Sequence, residues 1–170
     1  MLPRSDEALY QRLLDGELAA FDTLYERYER HVYGFARRQL HDSAEAEDVL
    51  HEAFMALLRE RESGRVARSF RAFLFQIVRN LCLNRLRSGH RAARAMDEVA
   101  RELQSNKGTD EPERALAEQQ ATAALREAVA KLPATLSELY QLRAGGLSYD
   151  EMTEVLGIPL GTVKSRMHEL

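Results

Sequence analysis

Residues 69–94 have the sequence SFRAFLFQIVRNLCLNRLRSGHRAAR, in which an apolar first half is followed by a basic second half. The apolar side chains are Phe70, Phe73, Leu74, Phe75, Ile77, Val78 and Leu81. The stretch has no proline and no glycine before Gly89, so nothing in it ends a helix before that point. Apolar residues at helical spacing, nearly all round the helix at 73–78, predict a central helix enclosed by other helices.

Arginines dominate this central helix and the segment before it. They are Arg59, Arg61, Arg65, Arg68, Arg71, Arg79, Arg85, Arg87, Arg91 and Arg94. Guanidinium groups that neutralise phosphate, beside aromatic rings and the amides of Asn80 and Asn84, are typical of a surface for a single nucleic-acid strand. The alternative is a solvated basic face in front of core aromatic residues.

Length and composition allow one mid-sized domain or two small helical ones. The 170 residues are 45% hydrophobic and 30% charged, and no stretch alternates, so we predict an all-α fold. The single cysteine, Cys82, excludes an internal disulfide and a cysteine-rich zinc site, and we expect it to be buried. We find no signal peptide and no apolar run that could insert in a membrane, which predicts a cytoplasmic protein.

The sequence offers no candidate for catalysis, a metal site or a cofactor. His51 and Glu52 lack the second histidine, four residues on, that a helical zinc protease site requires. No nucleophile lies in a recognisable motif, and no glycine-rich phosphate loop occurs. Catalysis therefore has no candidate in these motifs.

Three helices are predicted before the central one. Ser5 caps a short helix that Asp15 and Gly16 end, and a second helix runs from Glu17 to Leu40. One apolar stripe is expected on the second helix. Its members are Leu18, Phe21, Tyr25, Tyr28, Val32 and Phe35.

The third helix, SAEAEDVLHEAFMALLR, begins at Asp42 or Ser43 and combines a buried stripe with acidic residues. The stripe consists of Ala46, Val49, Leu50, Ala53, Phe54 and Leu57, and the acids are Glu45, Glu47, Asp48 and Glu52. The helix dipole favours carboxylates near a helix start, so the acids are explained by helix stabilisation alone. The other hypothesis is a docking surface for a basic partner.

Residues 96–112 are acidic and lack the helical spacing of apolar residues, which predicts a flexible linker. The linker would divide the chain into an N-terminal bundle, 1–95, and a smaller C-terminal helical unit, 113–170. In the C-terminal unit we predict one helix from Glu113 to Lys131. A second begins at Pro133 and ends at Gly145 and Gly146.

The last stretch, LSYDEMTEVLGIPLGTVKSRMHEL, predicts a helix-turn-helix. Ser148 and Glu151 form a capping box, Gly157 ends the first helix, and the second begins at about Leu160. The side chains expected to face inward are Met152, Val155, Leu156, Val163, Met167 and Leu170. Those expected to face outward suit a major groove and are Thr162, Lys164, Ser165, Arg166 and His168. The alternative is a helical hairpin with a solvated face.

Three motifs, AEDVLHEAF, SFRAFLFQIVRNLCLNRLR and LSYDEMTEVLGIPLGTVKSR, together resemble the sigma-70 family of RNA polymerase sigma factors. The likeness is greatest to the small extracytoplasmic-function (ECF) group and covers nearly the whole chain. It implies a two-domain specificity subunit and no enzyme, with sigma domain 2 in 1–95 and sigma domain 4 in 113–170. The acidic linker would be threaded toward the RNA exit path.

The resemblance also implies which residues bind each partner. The clamp coiled coil of core RNA polymerase would bind Asp48, Leu50, His51, Glu52 and Met55. The separated −10 strand would bind Arg65, Arg68, Phe70, Arg71, Arg79, Asn80, Asn84 and Arg87, with Arg85 as a further phosphate contact. The −35 groove would bind Tyr149, Pro159, Gly161, Thr162, Lys164, Ser165, Arg166 and His168. The polymerase flap and an anti-sigma factor are further implied partners.

Some positions depart from the family pattern. His51 stands where glutamine is usual and Phe73 where tryptophan is common. Glu169 stands where the family usually has arginine, and the sequence ends at Leu170, before the expected basic turns. We therefore expect weakened or unusual −35 contact, or a shortened C-terminus.

Two competing hypotheses remain open. A helix-turn-helix transcriptional regulator would need a receiver or ligand-binding domain upstream, which the helical N-terminal half does not supply. A sigma-like decoy that binds an anti-sigma factor would have no need of the arginines in the −10 segment.

Overall fold

The computed structural model describes residues 5–63, 68–100 and 132–170, without the side chains of 61–63 and 90–100. This part of the chain forms seven α-helices and contains no strand, which confirms the all-α prediction. The helices are α1 (Asp6–Leu14), α2 (Leu18–Leu40), α3 (Ser43–Ser63), α4 (Phe70–Ala100), α5 (Ala134–Ala144), α6 (Tyr149–Leu156) and α7 (Leu160–His168).

Side-chain caps mark the starts of α1, α3 and α6, and a glycine marks the end of α6. The hydroxyl of Ser5 accepts a hydrogen bond from the backbone N–H of Ala8 at the start of α1. Asp42 Oδ1 accepts from the N–H of Glu45 at 2.9 Å, so Asp42 and not Ser43 caps α3. Ser148 and Glu151 form the predicted capping box of α6, and Gly157 ends that helix in the left-handed region at φ 66°.

The first half of α4 lies in the core of the fold. Its fully buried side chains include Phe70, Leu74, Phe75 and Val78, and Cys82 is 2% exposed. The α3 stripe that the sequence predicted is also buried throughout. The prediction of a central helix enclosed by its neighbours is therefore confirmed.

The apolar stripe predicted for α2 is partly wrong. Tyr28, Val32 and Phe35 are buried, but Leu18 is 62% exposed. Ala20 and Leu24 fill the core at that end of the helix. Leu18 is the first residue of α2 and lies on the flank of the stripe, where no helix of the described ranges covers it.

The start predicted for the linker, residue 96, is also wrong, because α4 continues as a helix to Ala100. Residues 96–100, MDEVA, contain neither glycine nor proline, so fading periodicity alone does not stop the helix. The rest of the predicted linker and the predicted helix 113–131 lie outside the described residues.

Helices α5 to α7 form the C-terminal unit, and α6 packs against the first turns of α4. Val163 is fully buried in this unit, whereas Leu170, predicted to face inward, is 44% exposed because α7 ends at His168. Among the helices of the described ranges, none is long and apolar enough to cross a membrane.

Candidate docking helix and nucleic-acid interface

The outer side of α3 presents most of the side chains predicted to dock on polymerase. Asp48, His51 and Glu52 are exposed, and Met55 is 55% exposed although it is a large apolar residue. Leu50, by contrast, is only 8% exposed and belongs to the core. The face that is available to a partner therefore consists of acidic groups around one exposed methionine.

Arg85 of α4, the central helix, forms ion pairs with this acidic face. Its Nε donates to Glu45 Oε2 at 2.7 Å, and its Nη2 donates to Glu52 Oε2 at 2.9 Å. Burial of Arg85 disfavours its charge, but the hydrogen bonds to Glu52 and Glu45 outweigh burial and raise its pKa. Two carboxylates of α3 occupy the guanidinium group of Arg85 in this structure, so a DNA phosphate would have to displace them to reach it.

Arg71 stands in a polar network at the start of α4. Its Nε donates to the hydroxyl of Tyr28 at 3.2 Å, and that hydroxyl donates to Asp6. Burial and the hydrogen bond to Asp6 raise the pKa of Tyr28, so the phenol stays neutral. Asp6 also pairs with Arg27 at 2.6 Å. Helices α1 and α2 thus hold one side of the Arg71 guanidinium in a fixed position.

Phe70 is a core residue in this structure. Its ring is fully buried and lies 5.3 Å from the ring of Tyr10 and 5.4 Å from the ring of Tyr28, between ring centroids. Its backbone N–H donates to Glu7 Oε1 at 3.3 Å. The predicted contact between Phe70 and an unstacked base is therefore not available, because the ring has no face open to solvent.

The remaining candidates on α4 form one accessible face. Asn80, Asn84 and Arg87 are exposed, and their spacing of four and three residues places them on the same side of the helix. Arg68, just before α4, is exposed as well, while Arg65 lies outside the described residues. An amide and guanidinium row of this kind can contact the bases and phosphates of an extended strand.

On α7, the predicted recognition helix, the polar side chains of Lys164, Ser165 and His168 are exposed. Pro159, just before this helix, and Gly161, in its first turn, are exposed as well. Thr162 and Arg166 are half-buried. Tyr149 of α6 is also half-buried, with the guanidinium carbon of Arg143 5.6 Å from its ring centroid. Glu169 is exposed at the C-terminal end of α7, where its charge opposes the helix dipole.

Sequence reasoning missed three groups that contact the start of α4. Glu138 of α5 binds Arg79 through Oε1 at 2.6 Å and Oε2 at 3.2 Å. The carbonyl oxygen of Gly146 accepts from Arg71 at 2.7 Å, and Glu151 accepts from Ser69 at 2.7 Å. Each partner is at least 59 residues away in sequence, so no local pattern could have indicated these contacts.

The histidines and acids of the described ranges do not form a metal site. No group of three or more His, Cys, Asp or Glu in those ranges is arranged to hold an ion. The chemistry that the described surfaces support is charge pairing and hydrogen bonding to macromolecules.

Two stretches of the chain match known protein families. The family described as sigma-70 region 2 matches residues 24–92, and the one described as sigma-70 region 4 matches residues 122–169. The chain is 31% identical to RNA polymerase sigma-H factor of Pseudomonas aeruginosa, over 95% of this chain and 88% of that protein. It is 30% identical to ECF RNA polymerase sigma-E factor of Haemophilus influenzae, over 96% and 89%.

Solved structures share the fold. CnrH, solved in complex with the cytosolic domain of CnrY, aligns with a TM-score of 0.70 and 22% identity over 98% of this chain and 92% of that one. The Bartonella quintana sigma factor RpoE, solved with the anti-sigma factor NepR, aligns with a TM-score of 0.66 and 23% identity over 88% and 90%. The chain belongs to the sigma-70 family and is an ECF sigma factor, the subunit that directs RNA polymerase to promoters.

Proposed function

We propose that the exposed face of α3 docks on the clamp coiled coil of core RNA polymerase. Asp48, Glu52 and Met55 supply the contact, with His51 at its edge. Two exposed carboxylates around an apolar side chain are suited to a basic helical partner, because the charges steer the encounter and the apolar surface is buried on binding. Leu50 supports this face from the core.

The exposed row Asn80, Asn84 and Arg87 on α4, with Arg68 and the guanidinium groups of Arg71 and Arg79, binds the separated −10 strand. The observation that carries this assignment is that α4 is buried on one side and presents amides and guanidinium groups on the other. Guanidinium groups neutralise phosphates, so binding should weaken steeply as salt is raised.

The exposed side chains of α7 enter the −35 major groove. Lys164 and Ser165 are accessible, and Arg166 and Thr162 are half-accessible on the same short helix. A good bidentate contact with a base contributes about 1 to 3 kcal/mol of discrimination. Domain 2, which includes α4 up to Ala100, and domain 4, from about residue 113, are thereby assigned separate promoter elements.

An anti-sigma factor is a further proposed partner, and the flap of the polymerase is another. The structural relative RpoE of Bartonella quintana was solved with the anti-sigma factor NepR, which supports the proposal for this chain. We infer that the protein acts in the cytoplasm, where its polymerase is, and that it works by binding and has no enzymatic activity.

The docking assignment is tested by co-elution with core polymerase from a size-exclusion column. We expect the wild type to co-elute and the double substitution Asp48→Ala with Glu52→Ala to co-elute much less. Glu26→Ala, which removes an exposed carboxylate from α2, is the matched control and should co-elute normally. Equal co-elution of the double variant and the wild type would refute the α3 surface.

Transcription from a random promoter library with core enzyme tests the function as a whole. A sigma factor gives discrete start sites, whereas a regulator or a decoy gives none. We expect Lys164→Ala and Arg166→Ala to lose transcripts that depend on a −35 element, and Glu154→Ala, an exposed charge on α6, to keep them. Unchanged amounts of these transcripts with both α7 variants would rule out the groove assignment.

A further inference from the structure

Helix α1 contacts the start of α4 through polar groups, although no partner is assigned to this helix. Asp6 accepts a hydrogen bond from the hydroxyl of Tyr28, and that hydroxyl accepts one from Nε of Arg71 at 3.2 Å. Glu7 Oε1 accepts a hydrogen bond from the backbone N–H of Phe70 at 3.3 Å. The two acidic residues in the first turn of α1 therefore act on two successive residues of α4.

The hydrogen bonds that connect Arg71 with Asp6 run in one direction. A neutral phenol can donate only one hydrogen bond, and Tyr28 donates it to the carboxylate of Asp6. The oxygen of the phenol is thereby left to accept from Arg71. Each hydrogen bond in such a chain polarises the next, so the carboxylate of Asp6 strengthens the bond between Tyr28 and Arg71.

Two further contacts restrict the same groups. The guanidinium carbon of Arg71 lies 5.7 Å from the centroid of the Tyr28 ring, a cation–π contact. Tyr28 is 3% exposed, so its ring cannot turn away without opening the core. Arg27 Nη1 binds Asp6 Oδ1 at 2.6 Å, which leaves Asp6 Oδ2 for Tyr28. Asp6, Tyr28 and Arg71 thus hold one another in a single arrangement.

The Nη atoms of Arg71 lie outside this hydrogen-bonded chain. Nη1 donates to the carbonyl oxygen of Gly146 at 2.7 Å, and within the described residues no hydrogen bond to Nη2 is found. Arg71 is half-buried and borders a cleft of about 310 Å³. A phosphate oxygen can therefore reach Nη2 while Nε stays on Tyr28. An arginine that its neighbours already fix loses less rotamer freedom on binding, which strengthens its contact with a phosphate.

We propose that Asp6 and Tyr28 are positioning residues for promoter binding: Asp6 acts through the Tyr28 hydroxyl to hold Arg71 in the orientation that meets a phosphate of the separated −10 strand. The proposal rests on the assignment of Arg71 to that strand. It gives α1 a part in promoter binding without a contact to DNA.

The test measures how tightly the holoenzyme, which is the full chain with core polymerase, binds a labelled fork template. The template is a promoter recovered from the random library, with a paired −35 element and an unpaired −10 strand. Tyr28→Phe removes only the hydroxyl and should weaken binding about threefold to tenfold, the factor for one lost hydrogen bond. Asp6→Asn should weaken binding in the same direction. In both variants the affinity should depend less steeply on salt, because a phosphate contact is lost.

Tyr33→Phe and Asp22→Asn are matched controls for the two substitutions. Tyr33 is a half-buried tyrosine of α2, and Asp22 is an exposed aspartate of the same helix. Both lie outside the chain of hydrogen bonds to Arg71 and should bind the fork template as the wild type does. Equal losses of affinity in the controls and in the test variants would overturn the proposal.

Arg71→Ala distinguishes a positioning role from a structural one. Beside Arg71→Ala, Tyr28→Phe should have no further effect on affinity or on its salt dependence, because no guanidinium group is left to position. An equal loss with and without Arg71 would show that Tyr28 acts through the stability of the fold, and positioning would be refuted.

The same variant separates failure of this inference from failure of the proposed function. If Arg71→Ala weakens binding while Tyr28→Phe and Asp6→Asn bind like the wild type, positioning is refuted and the −10 assignment of Arg71 stands. If Arg71→Ala binds the fork template like the wild type, the −10 role of Arg71 fails, and the positioning role fails with it.

Discussion

Phe70→Ala should destabilise the protein strongly, because the ring belongs to the core and not to the DNA surface. The side chain is fully buried between Tyr10 and Tyr28, so its removal leaves a cavity that two rigid rings line. A substitution of this type costs about 3 to 5 kcal/mol. For a chain of this size each kcal/mol lowers Tm by about 2 to 4 °C, which gives an expected loss of about 6 to 20 °C.

Thermal and urea unfolding, followed by circular dichroism, measure this cost. Phe70→Leu keeps much of the apolar volume and should lose less stability than Phe70→Ala. Met55→Ala, at a site 55% exposed, is the control and should change stability by less than about 0.5 kcal/mol. If Phe70→Ala unfolded like the wild type but no longer bound single-stranded DNA, the ring would contact a base and the reasoning from burial would be refuted.

Three further outcomes are expected. Gly157→Ala should lower the free energy of unfolding by about 1 kcal/mol because φ is 66° at this position. Gly89→Ala in α4 should leave it unchanged or raise it. Both positions have open space for a Cβ atom, so the difference comes from the backbone conformation. Burial raises the pKa of Cys82 to about 12, so a thiol reagent at pH 8 should modify this side chain only after unfolding, and rapid labelling of the native protein would contradict its burial. The free energy of unfolding should fall as pH rises from about 9, where the thiol of the unfolded chain ionises, toward 12. Arg85→Ala should cost no more than about 1 kcal/mol, since Glu45 and Glu52 are half-exposed, and a larger loss in urea unfolding would show that the bridge matters more than its exposure suggests.

The sequence predicts the helices well because their ends depend on local chemistry. Ser5, the pair Ser148 and Glu151, and Gly157 each act on backbone groups within a few residues, so the signal is complete in a short window. Periodicity likewise predicts which side of α3 is buried. It is less reliable at the start of α2, where burial of Leu18 depends on how far the neighbouring helices extend.

Contacts between segments that are distant in the sequence cannot be predicted from such local patterns. Arg79 carries the same signal in the sequence as Arg87, yet Arg79 is bound by Glu138 and Arg87 is exposed. Phe70 likewise fits a base-stacking role by composition, but the approach of α1 and α2 buries it. Whether an arginine or a ring is free depends on tertiary packing, which spacing alone does not reveal.

The ion pairs of Arg85 with Glu45 and Glu52 link α3, which is proposed to bind the polymerase, with α4, which is proposed to bind the opened promoter. Buried residues of α3 and α4 also belong to one packed core. Binding of α3 to the polymerase would therefore also fix the orientation of α4. If the two proposed assignments hold, side-chain packing between α3 and α4 would set the distance between the polymerase and the melted bases.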